Sequence, residues 1–157
     1  MRKTRKGTIL TGRLPTRRVK RVSAASKGST ETIVPTFLHM LNTVKLYHWK
    51  TTSYSTHKAT DELYGSLNDK IDHFVEVMLG KKELGGRAKL LRVPMIKLSV
   101  FSNNEAFKKQ IESYKLFLLN MTNDPVLSAQ MNTDLLAIRD EILADFNKFL
   151  YLLTLGG

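Results

Sequence analysis

Cysteine is absent from this chain, which excludes a disulfide framework, thiolate-ligated zinc, iron–sulfur clusters and thiol nucleophiles. Long apolar runs are missing too. No stretch reaches ~18 uncharged apolar residues, so a transmembrane helix is not expected. There is no phosphate-binding glycine loop, no Ser-His-Asp set, no dinucleotide fingerprint and no internal repeat. Acid is in short supply, with 14 Asp and Glu against 25 Lys and Arg, a net charge of +11. Such an excess points to a polyanionic partner.

The shortage of acid is local. Ten basic residues, Arg2, Lys3, Arg5, Lys6, Arg13, Arg17, Arg18, Lys20, Arg21 and Lys27, precede the first acid, Glu31. The remainder of the chain holds fifteen basic and fourteen acidic residues and is nearly neutral. Residues 1–30 are therefore expected to form an extended basic N-terminal arm, and residues 31–157 a single domain long enough to bury a core. The arm has the composition of an organellar transit peptide, but Gly7, Gly12 and Pro15 interrupt any long amphipathic helix. It is read instead as an attachment element.

From residue 31 the apolar residues recur at steps of three and four, the helical period. Phe37, Leu38, Leu41, Val44 and His48 mark a helix near 31–49, with Pro35 near its start. Ala59, Leu63, Leu67, Ile71, Phe74 and Met78 mark a second near 56–79, stopped by Gly80. Ser102-Asn103-Asn104-Glu105 has the form of a capping box, opening a third helix near 103–121 through Phe107, Ile111, Tyr114, Leu118 and Met121. A fourth is placed near 125–154 on Leu135, Ile138, Ile142, Phe146, Phe149 and Leu153. Residues 80–102 break the pattern with Gly80, Gly85, Gly86 and Pro94, and they are basic; Val93 to Phe101 is either extended or a short helix. Four amphipathic helices with a long middle crossover predict an all-α, ferritin-like four-helix bundle.

One face of the second helix is unusual. With His57 at zero on a wheel of 100° per residue, Asn68, Asp61, Asp72 and Glu76 follow within about 100°, clear of an apolar stripe at roughly 200–340°. A solvated face would mix lysine with glutamate; this one carries a histidine, an amide and three acids. Carboxylates with imidazole suit Fe²⁺, Mn²⁺ or Zn²⁺, and His48 is placed to join from the first helix. Against this stands an ordinary explanation: acids near a helix N-terminus are favoured by its dipole, and i, i+4 carboxylates are common on solvated helices. His39 is assigned to the core or an interface, and His73, near 160°, to the surface or an interface. Met40, Met78, Met121 and Met131 are assigned to gap-filling in the core.

Leu46-Tyr47-His48-Trp49, His57-x3-Asp61 and Asp72-x3-Glu76 together resemble the Dps family, the ferritin-like mini-ferritins of bacteria. The resemblance implies a dinuclear ferroxidase site shared by two subunits. His48, His57 and Asp61 would come from one chain, Asp72 and Glu76 from its mate, with Trp49 lining the site and iron as the metal. The interval from His48 to His57 is three residues shorter than in that family, which predicts His48 tilted away from the other ligands. Trp49-x-Thr51-x-Ser53-Tyr54-x-x-His57 is also similar to uncharacterised ferritin-like proteins of large DNA viruses that infect eukaryotes.

Two functions follow as expectations. The preferred one is a structural or assembly protein, a minor capsid or internal virion component made in the host cytoplasm. Its bundle would pack in an assembly while its arm grips neighbouring subunits or DNA. The alternative is a Dps-type, DNA-binding, iron-oxidising and iron-storing protein, cytoplasmic or nucleoid-associated. Both predict a homo- or hetero-oligomer without a membrane span.

Overall fold

The computed structural model describes residues 30–155; the ten arm cations, residues 1–29 as a whole and the last two glycines lie outside the described residues. The described residues are mostly helical and contain no strand. Thr30, already buried, opens a short 3-10 turn that leads into α1 (Ile33–Lys50). The further helices are α2 (Tyr54–Gly80), α3 (Arg87–Leu90), α4 (Asn104–Asn120) and α5 (Thr133–Leu152). No helix is long and apolar enough to cross a membrane among the described residues.

Local chemistry sets the helix ends. The Ser53 hydroxyl accepts from the Thr56 N–H and starts α2. At α4 the cap is Asn103, whose side-chain oxygen accepts from the Ala106 N–H at 2.8 Å. The cap therefore falls one residue later than expected and the predicted capping box does not form; Glu105 pairs with Lys108 instead. The fourth predicted helix starts late, at Thr133 rather than 125. The Asp124 carboxylate accepts from the N–H groups of Val126 and Leu127, a local bond that competes with helix. Leu127 is buried there, and Asn132 donates to the Val126 carbonyl, so residues 124–132 fold as turns.

Four antiparallel pairings fix how the long helices lie. Phe37 meets Phe74 edge to face and His48 stacks on His57, joining α1 to α2. Tyr47 stacks on Phe107, and His39 meets Tyr114, joining α1 to α4. Asp145 accepts from Ser66 and Lys70, and Lys81 pairs with Asp134, joining α2 to α5. Phe107 with Phe149, and Arg139 on the Leu118 carbonyl, join α4 to α5. In consequence α2 and α4 run in the same direction. The chain must travel back between them, over residues 81–103, along a body whose longest helix spans about 40 Å at 1.5 Å per residue. Leu84 and Leu90 anchor this crossover in the core.

Phe37, Phe74, Phe107, Phe146 and Phe149 fill that core, with Leu67, Met78, Ile111 and Leu118 between them. Met131 is an exception to the expected methionine packing. It lies in the turns before α5 and is 63% exposed.

Candidate metal centre

The short connection Thr51–Ser53 brings the end of α1 back against the start of α2. His48 is buried on the inner side of that corner and His57 half-buried beside it, their rings stacked with centroids 3.9 Å apart. Each ring is tied to the other residue's backbone: His48 Nδ1 lies 3.1 Å from the His57 carbonyl, and His57 Nδ1 lies 3.0 Å from the His48 carbonyl. A carbonyl only accepts, so both Nδ1 atoms carry the proton and donate. In the neutral ring this leaves Nε2 with its lone pair free, the arrangement metal-binding histidines adopt. The Thr60 hydroxyl, which donates to the Thr56 and His57 carbonyls, backs His48 from below.

His48 Nε2 points at Asp61, 3.8 Å from its Oδ1. The shortened interval therefore does not turn His48 away. The exchange of ring N–H groups with backbone carbonyls holds it toward His57 and Asp61. Asp72 and Glu76 are exposed further along the same helix. Asp61 and Asp72 stand eleven positions apart, about 16 Å on a straight helix, so one chain does not unite them. Among the described residues no group of three or more His, Asp or Glu side chains is close enough to hold a metal ion.

The stripe that carries these groups has a feature that ligand spacing overlooked. His57, Asp61, Gly65, Asn68, Asp72 and Glu76 follow at steps of four, four, three, four and four. They are symmetric about the midpoint between Ser66 and Leu67. Gly65 sits mid-helix, where glycine costs roughly 1 kcal/mol relative to alanine, and a Cβ added there would meet nothing within 4 Å. Two large aromatics border the face, Trp49 at 68% exposure and Tyr54 at 78%. Lys45 lies over the Tyr64 ring at 4.5 Å and the Trp49 ring at 5.7 Å.

The other histidines fall where expected. His39 is half-buried on the α1–α4 seam with its Nδ1 2.8 Å from the Tyr114 hydroxyl, and His73 is exposed. Buried Arg139, which sequence reasoning passed over, donates to the Leu118 carbonyl and Thr122 hydroxyl and closes the C-terminal end of α4.

Residues 48–153 match the model of a family described as a family of unknown function (DUF5856). No curated protein and no solved structure matches the chain.

Proposed function

The chain belongs to the DUF5856 family, and from its own residues we propose a ferritin-like four-helix bundle that pairs through α2 about a two-fold axis and oxidises Fe²⁺ at the sites so formed. His48, His57 and Asp61 of one subunit would face Asp72 and Glu76 of the partner subunit. The observation that carries this reading is the His48–His57 lock. It presents a ring nitrogen lone pair to the Asp61 carboxylate at 3.8 Å. Two acceptors that close repel unless a cation or proton lies between them.

The arrangement of helices supports the fold: a parallel α2 and α4 with a long return is the ferritin-like pattern. The palindromic stripe supports the pairing. Laid antiparallel on itself, it places His57 opposite Glu76, Asp61 opposite Asp72, and Gly65 opposite Asn68. Gly65 would permit close approach at the centre, which accounts for a helix-weakening residue with open space around it. Histidine and carboxylate ligands suit Fe²⁺. The residues of one chain fit half of such a centre, and the carboxylates would complete it. Two Fe²⁺ ions would each give one electron to a peroxide, which takes up two protons and leaves as water.

Subunit complementation tests the reading. Asp61→Asn and Glu76→Gln should each slow iron oxidation by about 10–100-fold. Mixing the two variants restores one intact site per hybrid dimer, and part of the rate should return. Unchanged rates in either single variant would refute the proposal.

The acid-free arm favours a second reading, a structural protein of a virion or other assembly whose arm binds neighbours or DNA. If the partner is duplex DNA and about six phosphates are neutralised, affinity should fall ~10³-fold between 50 and 200 mM salt. Deleting residues 1–27 should remove that dependence. DNA affinity that survives the deletion would place binding in the body.

A further inference from the structure

One segment inverts the rule that orders the rest of the body. Of residues 91–100 (Leu-Arg-Val-Pro-Met-Ile-Lys-Leu-Ser-Val) all but Ile96 are exposed. Met95 is 98% exposed, Val100 63%, Leu91 45%, Val93 41% and Leu98 40%. The segment is held at both ends, by Leu90 in the core and by Phe101 packed against it. Between them, Val93 to Phe101 makes no backbone hydrogen bond to any described residue. Contiguous exposed apolar side chains of this kind mark an interaction surface.

Charge selects the occupant. The segment contains Arg92 and Lys97 and no acid; upstream, Lys82 and Arg87 are exposed, and Glu83 is the only acid between residues 81 and 101. Arg92 and Lys97 have no ion-pair partner among the described residues. A second copy of the crossover, or the chain's own arm, would bring like charge against like. Duplex nucleic acid would meet the cations but would leave the five apolar side chains without a role, since such interfaces are polar.

We propose that this crossover is a peripheral docking site for an anionic lipid surface. Lys and Arg within the segment would engage the headgroups, while Met95, Val93 and Leu98 enter the boundary with the acyl chains. Insertion must be shallow, because backbone groups without internal hydrogen bonds need headgroups or water. Pro94, within the segment, has no N–H to satisfy. This site is independent of the α2 centre.

The absence of cysteine makes the test clean. The full-length Met95→Cys variant, labelled with an environment-sensitive fluorophore, is mixed with vesicles of phosphatidylcholine alone or phosphatidylcholine with phosphatidylserine. The expected result is a blue shift and several-fold rise in emission with the anionic vesicles only, weakening as added salt screens the headgroup attraction. Val93→Asp with Leu98→Asp in the unlabelled chain should lower vesicle partitioning by about tenfold or more. Three results would overturn the proposal: co-flotation with a silent label, which assigns binding to the arm; a label that responds to duplex DNA but not to vesicles; and a label silent throughout.

Discussion

α2 and the crossover that follows it are neighbours in sequence and opposites in construction. α2 has a side-chain cap, buries Leu63, Leu67, Ile71, Phe74 and Met78, and turns acids outward. Residues 91–100 turn most of their apolar side chains outward, carry only positive charge and make almost no backbone hydrogen bonds to described residues. A helix of alternating character can satisfy its backbone and bury its stripe within one chain. Residues 91–100 do neither among the described residues, so their anchored ends, Leu90 and Phe101, hold them to the body. The two regions thus differ in how much of their own structure the described residues satisfy.

The sharpest way to break that contrast is to remove an interior ring. Phe74 is 1% exposed and meets Phe37 edge to face at 5.1 Å between centroids. Phe74→Ala should cost about 3–5 kcal/mol in denaturant unfolding, through lost transfer energy and the cavity left behind. A cost below about 1 kcal/mol would mean that α2 is not packed as described.

Much of this half of the contrast was legible in the sequence. The apolar stripes of α2 and α4 lie in the core at the positions their spacing indicated, because a 3.6-residue period leaves one solution for which face turns inward. In α1 Phe37, Val44 and His48 are buried, but Leu38 of the expected stripe is exposed. What was not legible depended on contacts the sequence does not display. The start of α5 was misplaced because one carboxylate, Asp124, captures two N–H groups and halts the helix. Residues 93–101 have no periodicity, so neither an extended nor a helical state could be chosen; the chain forms no helix there. The orientation of His48 rests on the His57 carbonyl, which becomes its neighbour only when α1 and α2 pack. Gly65 could have been noticed: a glycine centred in an otherwise well-formed helix breaks a local rule, and such breaks collect at functional sites.

A second test reaches the polar part of the interior. Burial pushes the Tyr114 phenol up to about 12, against a smaller downward pull from neighbouring Thr43 and Gln110. Unfolded, the group loses its proton near 10.0. Between these values the folded chain holds a proton that the unfolded chain has released, so stability is full below pH 10 and falls as pH rises toward 12. The loss is at most roughly 2–3 kcal/mol. Urea unfolding at neutral and alkaline pH should show the decline, and Tyr114→Phe should remove it.

Within α2, Gly65 is the place where the well-built region departs from its own logic. Gly65→Ala should stabilise the separate subunit by about 0.5–1 kcal/mol, since helix propensity improves and no atom is displaced. The same change should weaken pairing of two subunits through α2. Ultracentrifugation alongside thermal unfolding separates the two effects. A gain in stability with no change in association would show that the open space at Gly65 is not an interface.

The smallest effect is expected in the crossover, and it is as informative as the largest. Met95 is 98% exposed and makes no side-chain hydrogen bond. Met95→Ser leaves no cavity, and the transfer contribution nearly cancels because the side chain meets water both folded and unfolded. The change in stability should stay within about 0.5 kcal/mol. A loss above about 1 kcal/mol would mean that Met95 is covered in solution. Because mass action ties that cover to concentration, the melting temperature of the wild-type chain would then rise with protein concentration, while that of the variant would not. A flat melting temperature in both, with Met95→Ser neutral, leaves the apolar crossover open to water and available to a lipid surface.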